Sequence, residues 1–419
     1  MRKICFLVLL LVGFSSFSQS YNYAIYCKDT LTSPFMAGRA YQDQGDRRAA
    51  DFIRGELTKN NVELLGDNGF QPVEICVNNI KDAFLTLGKE KKTLQLGEEF
   101  LVAGFSPSCN VELNNVKPFV FSTKASLDKI KREKLASKTL VFNIGELSYY
   151  DIVVFLRKLS AEGINPQLAI VQGYDKIQYS IGRNSWKFPL LQLSGKPIGK
   201  KIDYLALSIE ADFQPHYQSQ NVWARVEGTK YPDSTFVFVS HYDHLGKIGQ
   251  TYFPGANDNA SGVSVLLDLA KYYASNPAEC SIVFIFVTGE EIGLVGSTAA
   301  AENSLINLQK VKFLFNLDMV GTGSTGVAVI NGQKERRAGE LLQEINSENH
   351  WFSKVVLGEE SCNSDHCPFV QKGVAAHFLF TYGCEYNEYH SVHDNGKELS
   401  FTKHIDFCNL LKEFVRRYK

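Results

Sequence analysis

The sequence predicts an α/β protein: a mostly parallel mixed sheet sandwiched by helices, with a β-rich domain inserted into it. Three observations predict this. From Asn221 onward, unbroken apolar runs such as "SIVFIFV" alternate with amphipathic stretches such as "GVSVLLDLAKYYA", and strands apolar on both faces belong to sheets covered by helices on both sides. Between about Val73 and Gln218 the texture changes to short strand-like runs separated by Gly, Asn, Ser and Lys. Upstream, Ala49, Phe52, Ile53 and Leu57 recur at helical spacing. The expected division is residues 1–20 as a leader, 21–72 with 219–419 as the principal domain, and 73–218 as the insertion.

The leader "MRKICFLVLLLVGFSSFSQS" has a basic start at Arg2 and Lys3, an apolar core through Phe14 and then small residues. That is the pattern of a secretory signal peptide cut after Ser18 or Ser20, with an apolar core too short to span a bilayer. Cys5 precedes the apolar core, whereas a lipid-bearing cysteine would follow it. The mature chain is expected to be secreted or periplasmic, with no stable membrane insertion. Lys and Arg total 44 against 45 for Asp and Glu; this balance, without a basic run, excludes nucleic acid as an expected partner. An exported chain permits disulfides, and Cys362, Cys367 and Cys384 form the cluster best placed for one bridge. No CxxC pair is present to suggest a structural zinc ribbon.

Within the insertion, "AFLTLG", "TLVFNIG", "LAIVQGY" and "FPLLQLS" read as strands and "SYYDIVVFLRKLSAEG" as a helix. Beyond it, "FVFVSHYDHLG" is a strand ending at His241, and "GANDNASGVSVLLDLAKYYA" is a Gly-rich loop entering a helix. "SIVFIFVTGEE", "VKFLFNLDMVG" and "VAAHFLFTYG" are further strands.

Open α/β sheets bind ligands beyond the carboxyl ends of their strands. Here three strands end in "HYD", "TGEE" and "NLD"; the Gly-rich loop adds Asp258 and a late loop supplies "NEYHSVHDN". The donor set His241, Asp258, Glu291, Asp318 and His390 mixes imidazole with carboxylate, which suits zinc. Five donors exceed what one open catalytic zinc takes. With Asp258 as a bridge, two zinc ions roughly 3.5 Å apart can each have three protein ligands: Asp258, Glu291 and His390 on one, His241, Asp258 and Asp318 on the other. Adjacent side chains at a strand end diverge, so Glu291 is expected as a ligand and Glu290 as the general base. Asp243 can accept from the far nitrogen of His241 and fix its tautomer. Singly, each acid is more often a helix cap or a solvated loop residue; the ordered set points to a metal centre.

The strings "SHYDHLG", "GANDNASG", "TGEEIGLVGS", "NLDMVG", "SDHCPF" and "EYHSVHDN" resemble the successive motifs of the co-catalytic di-zinc aminopeptidase family, which is related to bacterial leucyl aminopeptidases, glutamate carboxypeptidase and the transferrin receptor. "MAGRAYQDQGDRRAADFIRGEL" resembles the helix that opens the family's peptidase domain. The resemblance implies the same five ligands, Asp258 as bridge, Glu290 as base, and a cis peptide between Asp258 and Asn259. By position and by "FPLLQLS", the insertion resembles a protease-associated domain. His366 is read as supporting the pocket, Asp394 and His393 as outer residues, His244 as a polar loop group, and Tyr382 and Tyr386 as packing residues first and candidates for stabilising the tetrahedral oxyanion second.

The expected function is that of a zinc-dependent exopeptidase, an aminopeptidase acting on peptides with a free N-terminus. Two rivals come from other classes: a one-zinc glutaminyl-peptide cyclotransferase, which transfers an acyl group without water, and an inactive receptor-like ectodomain. A Cys–His hydrolase is disfavoured because Cys362 and Cys367 lie in no string typical of an activated thiol.

Overall fold

The computed structural model describes residues 20–195 and 197–419; the expected signal peptide lies outside these residues except for Ser20. No helix among the described residues is long and apolar enough to cross a membrane.

An 11-stranded sheet carries the molecule. Its main strands are β1 (Phe70–Leu87), β2 (Ile202–Val226), β3 (Tyr231–His241), β4 (Cys280–Val287), β5 (Val311–Leu317), β6 (Gly326–Ile330), β7 (Val355–Leu357) and β8 (Ala376–Tyr382), in the spatial order β7-β6-β8-β5-β3-β4-β2-β1. The central run β8-β5-β3-β4 is parallel throughout. β2 joins β4, β1 joins β2 and β6 joins β8 antiparallel.

Alternation along each strand feeds two cores. Phe236, Phe238, Ile282, Phe284, Phe286, Phe313 and Phe315 point to one face. There they meet α1 (Gly45–Lys59), α2 (Ser261–Ser275), α4 (Arg336–Asn349) and α6 (His404–Arg417). Val237, Val239, Val283, Ile285 and Leu314 point to the other, against α3 (Val295–Glu302) and α5 (His366–Gln371). Phe238 stacks on Phe284 and on Phe315 of its neighbouring strands, with centroids 5.9 and 5.7 Å apart. These strands are therefore apolar without interruption because both faces are covered.

β1 and β2 form a long ribbon, paired from Phe70–Val222 to Leu87–Leu205, that runs through the positions where the insertion was expected to begin and end. The inner half of the ribbon belongs to the main sheet. The outer half packs Ile80, Leu85, Leu205 and Leu207 onto a separate five-stranded sheet. In that sheet the strands Phe119–Phe121, Thr139–Asn143, Leu168–Tyr174 and Leu190–Ser194 are parallel neighbours. The helix Tyr149–Ala161 covers its far face with Ile152, Leu156 and Leu159. Parallel pairing requires a crossover, and between Thr139–Asn143 and Leu168–Tyr174 the helix supplies it.

One buried ion pair ties α2 to α6: His404 Nε2 lies 2.9 Å from Asp268 Oδ2. Burial alone would lower the pKa of His404, yet Cys408 and Asp268 raise it to about 10. Burial likewise works against ionised Asp268, but His404 holds its carboxyl below the ordinary value. The histidine's contribution to stability is complete below its unfolded pKa of about 6.5 and is lost as pH rises through about 10. The aspartate's contribution is lost only in acid, as pH falls through its lowered folded pKa. Asp268→Asn is expected to cost about 3 kcal/mol near pH 6 and clearly less above pH ~10, measured by urea unfolding at both.

Candidate metal centre

Parallel register brings the donors to one edge. His241 is the last residue of β3 and stands level with Val287 of β4, so Glu290 and Glu291 leave β4 just beyond it. Val239 stands level with Asn316 of β5, which puts Asp318 beside His241. Asp258 arrives from the loop between β3 and α2. That loop closes tightly at Gly255, where φ is +61° and an added Cβ would stand 2.3 Å from the Asp258 carbonyl oxygen, so only glycine fits. His390 comes from the loop after β8 and is itself left-handed, with φ of 55°.

All five expected donors meet. Asp258 is 3% exposed, and its two oxygens divide between two imidazoles: Oδ1 lies 3.3 Å from His241 Nε2 and Oδ2 lies 3.2 Å from His390 Nε2. His241 Nε2 is also 3.3 Å from Asp318 Oδ1, and His390 Nε2 is 3.2 Å from Glu291 Oε2. Two ligands of a tetrahedral zinc, each with a bond of about 2.0–2.1 Å, stand roughly 3.3 Å apart. The donor chemistry and spacing therefore fit two divalent cations sharing Asp258. The Asp258–Asn259 peptide is cis.

The supporting contacts are partly other than expected. His241 Nδ1 faces the backbone oxygen of Asp243 at 3.1 Å, while the Asp243 carboxylate is farther, at 3.7 Å. The tautomer is therefore held by the main chain, because the Asp243 carboxylate is engaged elsewhere. It accepts from the Tyr41 hydroxyl at 2.8 Å and from the Glu290 N–H at 3.3 Å, and so fixes the backbone of the candidate base. His244 lies 2.8 Å from Glu291 Oε1 and holds the oxygen opposite the one facing His390. Ser364, in the "SDHCPF" string, donates to Asp318 Oδ2 at 3.0 Å and accepts from Asn316.

Asp394 accepts the N–H groups of Asn257 and Asp258 at 2.8 and 3.1 Å and the Tyr386 hydroxyl at 2.9 Å. Tyr386 is thus occupied in supporting the Asp258 loop. His366 pairs with the Ser361 carbonyl oxygen and packs beside Phe378, and Cys362 is bonded to Cys367 while Cys384 is free and exposed. Tyr389, not among the residues expected at the site, stacks on His390 with centroids 3.8 Å apart. Its position directly before a candidate ligand was the available signal.

The electrostatics separate the two adjacent glutamates. For Glu291 burial opposes ionisation, but His390 and His244 bring its pKa down to about 2. For Glu290 burial dominates and pushes the carboxyl well above its ordinary value, with Asp365, Glu291 and Asp318 adding to the shift against the pull of His241. Asp258 is held well below the usual carboxylate range by His241 and His390 despite its burial. Their surroundings thus push the two adjacent carboxyls in opposite directions, Glu291 toward the ionised form and Glu290 toward the protonated one. Because Asp394 orients the Asp258 backbone, Asp394→Ala is expected to weaken zinc binding about 10–100-fold, as read by titration of the metal-free protein against a chromophoric chelator.

Residues 221–415 match Peptidase family M28. Over 380 residues the chain is 26% identical to aminopeptidase YwaD of Bacillus subtilis, an alignment taking in 83% of this chain and 76% of that protein. Among solved structures, BSAP, a zinc aminopeptidase from Bacillus subtilis, superposes with a TM-score of 0.72 at 19% identity over 94% of both chains. A peptidase M28 precursor from Shewanella amazonensis superposes at 0.73 with 16% identity, over 94% of this chain and 92% of that one. The two structural matches establish a shared fold. The stretch similar to Peptidase family M28, residues 221–415, holds all five candidate donors and both glutamates.

Proposed function

We propose that this protein is an exported zinc aminopeptidase that removes N-terminal residues from peptides. The observation that carries the reading is the division of the Asp258 carboxylate between His241 and His390. His241, Asp258 and Asp318 would hold one zinc, and Asp258, Glu291 and His390 the other. When bound, the two ions supply Lewis acidity and acidify a water so that it is a nucleophile near neutral pH. Glu290 takes a proton at its carboxylate and delivers it to the departing amine; its raised pKa suits it to hold that proton between the two events. Asp243 keeps Glu290 in place through its backbone N–H. Asp318 and Glu291, each held by a partner on its second oxygen, stay oriented as ligands.

Residues 1–20 act in this reading as a cleaved signal peptide, and residues 73–218 as a protease-associated-like insertion. The split Asp258 favours a two-zinc hydrolase over a one-zinc cyclotransferase. The competent Glu290 and the complete donor set favour activity over an inert receptor-like role.

Elemental analysis is expected to give two zinc ions per chain, whereas a single ion would favour the cyclotransferase. Glu290→Gln is expected to lower kcat about 10²–10⁴-fold while zinc content stays at the parental level. Peptides with an acetylated N-terminus are expected to resist cleavage; equal hydrolysis of free and blocked peptides would refute an aminopeptidase.

A further inference from the structure

Arg39 lies in the "MAGRAYQ" segment and is wholly buried. The residues Ala37, Gly38 and Arg39 are all left-handed, with φ of 47°, 63° and 54°. Two of the three carry side chains, so this is backbone that persists only when the surroundings enforce it. The surroundings are close: a Cβ on Gly38 would stand 2.2 Å from the Gly246 carbonyl oxygen.

What this backbone delivers is a guanidinium with all of its hydrogens committed. Nε donates to the Tyr242 carbonyl oxygen at 2.8 Å. Nη1 donates to Leu31 at 3.1 Å and Pro254 at 2.6 Å. Nη2 donates to Gly255 at 2.8 Å and Asp258 at 3.2 Å. Every acceptor is a main-chain carbonyl, and no ion pair joins Arg39 to a carboxylate among the described residues. A buried arginine without a contacting carboxylate is uncommon. This one instead sits among Asp258, Asp394, Asp243 and Glu291, whose field works against the penalty of burial. Tyr242 follows the candidate ligand His241, and Asp258 is the candidate bridge. One planar group therefore links the end of β3 to both ends of the turn that presents the bridging carboxylate.

We propose that Arg39 is a positioning residue of the metal centre: it holds the 254–258 turn against the end of β3 so that Asp258 reaches both cation positions. The assignment rests on the two-zinc reading above and goes beyond it by giving the opening segment of the chain a part in metal binding.

The sign of the effect separates positioning from charge. By Coulomb's law alone, removing a positive charge beside a cation site strengthens cation binding, so weaker binding in a variant that keeps its metal-free fold points to lost geometry. In metal-free protein, Arg39→Gln is expected to lower zinc affinity about tenfold or more in chelator competition, with Arg39→Lys intermediate. Far-UV circular dichroism and urea unfolding of the same metal-free samples would stay close to the parent. In Arg39→Ala, millimolar guanidinium ion is expected to restore part of the affinity. Urea at the same concentration would not, because its oxygen would face the carbonyls that the guanidinium serves.

Unchanged or higher zinc affinity in Arg39→Gln overturns the assignment. Variants that lose zinc only in proportion to a lost metal-free fold also overturn it, since that marks a purely structural role. A parent protein that binds no zinc defeats the proposed function itself; a parent that binds two, with variants that bind them equally well, defeats only the part given to Arg39.

Discussion

The carboxylate of Asp258 is the constraint on which the rest of the structure depends. It is buried, and its two oxygens face imidazoles from opposite ends of the peptidase segment, His241 on β3 and His390 in the loop after β8. A single carboxylate meets both only if its backbone is held to within a fraction of an ångström. Accordingly the turn that carries it is fastened from several directions. Asp394 takes the N–H groups of Asn257 and Asp258, and Arg39 takes the carbonyls of Pro254, Gly255 and Asp258. Asn259 bonds to Ser240 Oγ and the Leu317 carbonyl oxygen, at the ends of β3 and β5.

The concentration of acid at this edge would be unfavourable without counter-charges. Asp243, Asp258, Asp365 and Asp394 are all buried, and burying carboxylates together raises their pKa or calls for cations. The response differs from residue to residue. Asp258 and Glu291 are kept ionised by the neighbouring histidines, whereas burial carries Glu290 well above its usual value and Asp365 to about 7. The site thus holds carboxyls kept ionised and carboxyls pushed toward the protonated form within one small volume.

The inserted unit bears on this site. Its Tyr179 N–H donates to the His390 carbonyl oxygen at 3.1 Å, and Lys176 pairs with Glu388 and with the Asn387 carbonyl oxygen. Glu98 meets His393 at 3.0 Å on the same loop. The loop that carries His390 is therefore held between the insertion on one side and the Asp258 turn on the other. The β1–β2 ribbon, being continuous through both sheets, fixes the distance between them.

Particular residues show where sequence was legible. The strand ends at His241, Glu290–Glu291 and Asp318 could be read because a strand buried on both faces leaves an unbroken apolar run that stops where the polar edge begins. The parallel character of the inserted sheet could not be read, since strands as short as Phe119–Phe121 give no pattern of their own and pairing direction is set by the crossover helix. Asp243 meets His241 through its carbonyl rather than the expected carboxylate, because the choice between the two depends on Tyr41, some 200 residues away in the chain. Ser364, His244 and Arg39 lie in strings that carry the family resemblance, yet which candidate donor or main-chain carbonyl each one contacts is decided only by folding. The sequence by itself determined which strands end in candidate donors and the chemistry of the donor set, since both follow from local periodicity and residue type. Tertiary structure alone decided which oxygen faces which imidazole, which glutamate stays ionised and what holds Asp258, because these depend on distances of a few ångströms between segments remote in the chain.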